Sequence, residues 1–140
     1  MLRLKPIKKE DFLKIELEVE LGQEERQKFY NYNTTRGFTL WEGDYRVCLG
    51  GTHRLWPGVH EAWFMMSPRA YEIPVSVARY SKKALAAIIK EGKIRRTQCA
   101  VSAVDNRALQ FATFLDFKHE GLMKSYGLDG SDYHRFARIA

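Results

Sequence analysis

The apolar positions of this chain switch period several times, and each switch marks an element. Leu2 to Ile7 alternate weakly and predict a strand. Asp11 stands where a helix can be capped. Phe12, Ile15, Leu17, Val19 and Leu21 carry that helix to about Gly22. A second short helix is expected from Glu24 to about Tyr32, and Asn33 to Gly37 form a loop by composition. Period two then takes over. Phe38–Trp41, Tyr45–Trp56 and Val59–Met66 read as an antiparallel meander, turned by Glu42-Gly43-Asp44 and by Pro57-Gly58. In the last strand Ala62, Phe64 and Met66 share one face, and Trp63 and Met65 the other. Gly50-Gly51 marks a bulge or a close backbone approach.

Ser67 to Ile73 reads as a loop, and Pro74 suits the first turn of a helix. Val77, Tyr80, Ala84, Leu85, Ile88 and Ile89 repeat at helical spacing up to a stop at Gly92. Thr97–Val104 is a buried strand. Asp105 or Asn106 caps a helix that runs through Leu115. Phe117–Tyr126 and Asp132–Ile139 are two last strands around a Gly127–Gly130 hairpin turn. The order is β-α-α-β-β-β-α-β-α-β-β over residues 1–140, with no linker or repeat, and it predicts one domain.

Composition adds three constraints. With 45% hydrophobic and 29% charged residues, the chain can bury a core and solvate its surface. No apolar run approaches the ~20 residues that span a bilayer, and no signal core follows the N-terminus, so a soluble cytoplasmic protein is expected. The net charge of +6 favours an anionic partner. Lys82-Lys83 and Lys90–Arg96 read as a solvated helix face or as an anion site. Cys48 and Cys99 sit in apolar stretches as buried thiols, without CxxC spacing. His53, His119 and His134 fall in separate strands, no pair has metal-ligand spacing, and no metal site is expected.

The element order resembles the GNAT N-acetyltransferase superfamily over nearly the whole chain. Leu4–Asp11 is similar to the family's first strand running into its first helix. Val104-Asp105-Asn106-Arg107-Ala108 with Leu115-Asp116-Phe117 resembles its Asn-x-x-Ala … Leu-Gly-Phe signature. In detail the chain looks most like small acetyltransferase-like proteins of tailed bacteriophages. The resemblance implies an α/β fold, a mixed, mostly antiparallel sheet of six to seven strands flanked by about four helices. It also implies transfer of an acetyl group from acetyl-CoA to an amine of a small molecule or protein. The alternative is a domain that has lost catalysis and serves as a binding or assembly module, with a protein partner or a homodimer. A basic nucleic-acid binder is a third reading that no recognition motif supports.

By the same resemblance acetyl-CoA lies alongside Phe64, Met65 and Met66, with its diphosphate at the start of the next helix, near Val75, Ser76, Val77 and Arg79. Asp105 or Asn106 takes the place of the signature Asn. The family's small residues at that helix start let backbone approach phosphate. Here the equivalent stretch is Tyr71–Ser76, with Glu72 and Pro74 at the glycine positions, so Arg79 and Lys82 are the compensating cations. A second register, Arg79–Ala84, falls inside the helix. The family's tyrosine acid falls at Ala112, and Tyr126 or Ser125 is the substitute. Glu61 is the candidate general base and His60 the other, against surface roles for both. Phe29, Tyr30 and Tyr32, and the hairpin with Asp129, Asp132 and Tyr133, are candidates for the acceptor entrance, or for helix packing and a polar turn.

Overall fold

The computed structural model describes residues 1–18, 21–32 and 36–140, of which 29 and 32 by backbone alone. The strands are β1 (Leu2–Pro6), β2 (Arg36–Glu42), β3 (Tyr45–Trp56), β4 (Val59–Met66), β5 (Arg96–Ser102), β6 (Lys118–Met123) and β7 (Tyr133–Ile139). The helices are α1 (Lys9–Lys14), α2 (Gln23–Tyr32), α3 (Pro68–Glu72), α4 (Pro74–Gly92) and α5 (Asn106–Phe114). One seven-stranded sheet runs in the order β1-β2-β3-β4-β5-β7-β6. All neighbours are antiparallel except β4 and β5. This is the expected fold class, with one helix more.

The meander forms where alternation predicts it, and the pleat sends alternate residues of β4 to opposite layers. Trp63 and Met65 pack with Phe12 and Ile15 of the α1 side. Ala62 and Phe64 face α4 and α5, among Leu85, Ile89, Ala112 and Leu115. Gly50-Gly51 is a close approach rather than a bulge. A Cβ on Gly51 would lie 2.1 Å from the Arg36 carbonyl oxygen. The register shifts fall at Leu40/Trp41 and Arg54/Trp56 instead.

Two expectations are corrected. The first helix ends at Lys14, not near Gly22. Its open carbonyls are taken by a side chain far along the chain: buried Arg26 donates to the carbonyls of Phe12 (3.1 Å) and Ile15 (2.7 Å). Val19 lies outside the described residues. Asp11 is not the N-cap either. It sits one turn in, accepts from Lys8 N–H at 2.9 Å, and also binds Thr39 Oγ1 and Arg46 Nε, each at 2.7 Å. Second, Ser67–Ile73 contains the short helix α3. Ser67 precedes it, Pro68 opens its first turn, and Ser67 Oγ donates to the Val47 carbonyl at 2.6 Å. Among the described residues no helix is long and apolar enough to cross a membrane.

Candidate active site

The two edges of β4 differ. Toward β3 it is paired from Val59 to Met66. Toward β5 it is paired at three positions, Val59↔Arg96, His60↔Thr97 and Glu61↔Gln98. Past Glu61 the strands part, and β5 continues with β7 alone, from Cys99↔Phe136 to Ser102↔Tyr133. Phe111 of α5 stands edge-on to Phe64 at 5.0 Å, between the two large core clusters. The gap opens into a cleft of ≈ 850 Å³, lined mainly by apolar side chains of β4, β5, α3, α4 and α5. Unpaired strand edges accept an extended ligand as an added strand.

The start of α4 lies on this cleft, and Pro74 and Val75 line it. The first helical hydrogen bond is Val77 N–H to the Ile73 carbonyl at 3.1 Å, and no side chain caps the end. The N–H groups of Val75 and Ser76 precede that bond and have no intrahelical partner, and the positive end of the dipole lies at this end of the helix. Pro74 supplies no N–H. Glu72 is turned to Arg69 at 3.6 Å, and Arg69 makes a two-pronged contact with Glu42 at 2.9 and 3.0 Å. That contact holds the Glu42 carboxyl below its ordinary value.

The expected cofactor residues divide. Phe64 and Met66 line the cleft; Met65 turns its side chain to the α1 layer and offers only backbone. Val75, 63% exposed, stands at the mouth, and buried Val77 forms part of the wall. Ser76 lies in the first turn of α4. Arg79 is exposed and off the cleft lining, and Lys82 pairs with Asp116 at 3.6 Å. The Arg79–Ala84 register lies within α4. Asp105, not Asn106, caps α5, accepting from Ala108 N–H at 3.0 Å. It lines the cleft, whereas Asn106 is exposed outside the lining. Ala112 is buried on the cleft wall. Asp116, at the signature glycine, has φ 68°, a left-handed conformation that Asp tolerates better than most residues.

Glu61 sits where the strands part. Gln98 Nε2 donates to it at 3.0 Å and Arg135 NH1 at 3.1 and 3.2 Å. His60 is buried rather than at the surface. Its Nδ1 is 2.9 Å from Thr52 Oγ1, and burial, then Arg36, Arg54 and His53, push its pKa down. Tyr126 is 52% exposed and reaches the cleft only through Tyr133, a wall residue, ring centroids 5.4 Å apart. In the hairpin, Asp132 accepts from Ser125 N–H (2.9 Å) and Asp129 from Ser131 N–H (3.0 Å), as in a polar turn. Ser125 itself is exposed, with φ 56°. Tyr30 packs edge-on against Phe12 at 5.3 Å; the side chains of Phe29 and Tyr32 lie outside the described residues. His119 Nε2 and His134 Nδ1 meet at 2.8 Å across β6 and β7.

Sequence reasoning missed Tyr71, Arg107 and Phe111. Tyr71 and Arg107 line the cleft, the guanidinium 4.0 Å from the ring centroid. The Tyr71 hydroxyl is pushed up mainly by burial, then by Glu18, against the lowering effect of Arg107. A signal was present: a cation in the first turn of a helix opposes the dipole.

No family model and no curated protein matches the sequence. Among solved structures, Ard1 from Thermoplasma volcanium aligns at TM-score 0.81 and 13% identity, over 99% of this chain and 97% of that one. A GNAT-family acetyltransferase from Bacillus anthracis aligns at 0.74 and 15%, over 99% and 94%. A variant of spermidine N-acetyltransferase SpeG from Vibrio cholerae aligns at 0.75 and 13%, over 99% and 93%. The chain has the fold of the GNAT acetyltransferases.

Proposed function

We propose that this protein is an N-acetyltransferase that uses acetyl-CoA and an amine acceptor. The observation that carries the reading is the parting of β4 from β5 after Glu61, which leaves an unpaired β4 edge over a cleft ending at the uncapped start of α4. The cleft fits the cofactor by chemistry. An extended amide chain can pair with the β4 edge, apolar walls suit its methylenes, and the N–H groups of Val75 and Ser76 suit an anion.

The chemistry asks little of side chains. A neutral amine attacks the thioester carbonyl, the oxyanion collapses, and the C–S bond breaks. The amine loses one proton and the departing thiolate gains one. Backbone N–H on β4 near Met66 serves the oxyanion. Glu61, held by Arg135 and Gln98, takes the amine proton through water, and the Tyr133–Tyr126 pair returns one to the thiolate. Ala112 leaves no hydroxyl at the family's tyrosine position, which favours this second source.

The test is calorimetric titration with acetyl-CoA, followed by a thiol-release assay over primary amines, amino acids and lysine peptides. Saturable binding and amine-dependent release of CoA thiol are expected. Absence of acetyl-CoA binding at millimolar ligand overturns the reading. Binding without transfer to any amine overturns the catalytic part.

A further inference from the structure

We infer that Arg107, resting on the ring of Tyr71, is the cation that grips the diphosphate of coenzyme A in place of a glycine loop. The inference rests on the acetyl-CoA reading above and assigns a residue that reading lacks. Tyr71 belongs to α3 and Arg107 to α5, so their 4.0 Å contact joins two lips of the cleft. Tyr71 is three residues before Pro74, and Arg107, Tyr71, Pro74 and Val75 all line the one cleft.

Charge points the same way. Asp105 and Arg107 are the charged residues of the cleft wall among those described, and Asp105 is engaged in capping Ala108. The cations expected to compensate are elsewhere: Lys82 is paired with Asp116, and Arg79 is off the lining. Arg69 of α3 is paired with Glu42. Among the described residues Arg107 makes no ion pair, and its contact is the Tyr71 ring. A first-turn cation on α5 opposes the helix dipole, so the helix itself does not favour a positive charge there. A guanidinium carries a rigid fork of donors that suits phosphate oxygens, and its stacking on a half-exposed ring is weak enough to exchange for an anion. Glu72 and Pro74 remove two backbone approaches that a glycine loop would give; a side-chain cation from the facing helix does not need them.

The test is titration of the intact protein, wild type and variants, with CoA and with pantetheine, which shares the arm but has no phosphate. Arg107→Gln should weaken CoA binding roughly tenfold or more and leave pantetheine affinity unchanged. Tyr71→Phe keeps the ring and should bind CoA as wild type does; Tyr71→Ala should weaken it. Thermal melts establish that each variant is folded, and both positions are exposed at the surface. Unchanged CoA affinity in Arg107→Gln overturns the inference, as does an equal loss for pantetheine. Equal losses in Tyr71→Phe and Tyr71→Ala overturn the platform role of the ring. A wild-type protein that binds no CoA removes the acetyl-CoA reading itself, whereas wild-type binding with an indifferent Arg107→Gln removes this assignment alone.

Discussion

The strand β4 has two edges with opposite fates. Its β3 edge belongs to a closed antiparallel wall from β1 to β4, every strand paired along most of its length. Its β5 edge is closed for three residue pairs and then left open. The same strand therefore serves stability on one side and leaves its backbone without a strand partner on the other. Buried backbone polar groups are ordinarily satisfied, and this open edge is what the acetyl-CoA proposal rests on. The starts of the two helices on the cleft repeat the contrast, since α5 is capped by Asp105 and α4, among the described residues, by no side chain.

Substitutions can break or sharpen this contrast. The largest effect is expected on the closed side. Asp11→Ala removes a buried carboxylate that ties α1 to β2 and β3 through Thr39 and Arg46, and should lower unfolding free energy by about 4 kcal/mol in urea titration. Gly51→Ala drives a Cβ into the backbone of Arg36 and Gly37, which cannot yield as a side chain would. A loss of about 3 kcal/mol is expected. On the open side the same measurement should return less. Asp105→Ala removes one cap and should lower stability by about 1 kcal/mol. Pro74→Ala should shift stability by about 0.5 kcal/mol while adding an N–H at the cleft mouth, so calorimetry should find acetyl-CoA bound more tightly. Equal losses on both sides would remove the contrast.

The two thiols offer a finer probe, one on each side. Burial pushes Cys48, on the closed wall, and Cys99, on the cleft, each up to about 12. Both should alkylate slowly in the native protein at pH 8, followed by mass spectrometry. Cys99 should react first and be protected by CoA. An acid raised from 9.0 to about 12 on folding favours the folded state below 9.0, and that contribution fades as pH rises toward about 12. Melts between pH 9 and 12 should therefore fall.

Local patterns made much of this legible. The limits of β3, β4 and α4 follow from alternation, turn glycines and Pro74, and each is reproduced. These signals act within a few residues. The end of α1 is different, because the apolar spacing runs on through Leu17 and Leu21 while Arg26 takes the carbonyls at Ile15. The site was half legible. The resemblance to the GNAT superfamily points to Phe64, Met66, Val75 and Asp105, and these line the cleft. Tyr71 and Arg107 were not legible, since 36 residues separate them and no periodicity links α3 to α5.

By itself, then, the sequence determined the elements apart from α3 and the end of α1, their order, and the face that each residue of β4 presents, because propensity and pleat are local. The tertiary structure alone decided where β4 and β5 part, that His60 is buried, that His119 meets His134, and that Arg107 stands at the mouth of the cleft. Those outcomes depend on how separate elements pack against one another, and packing between distant segments leaves no period in the chain.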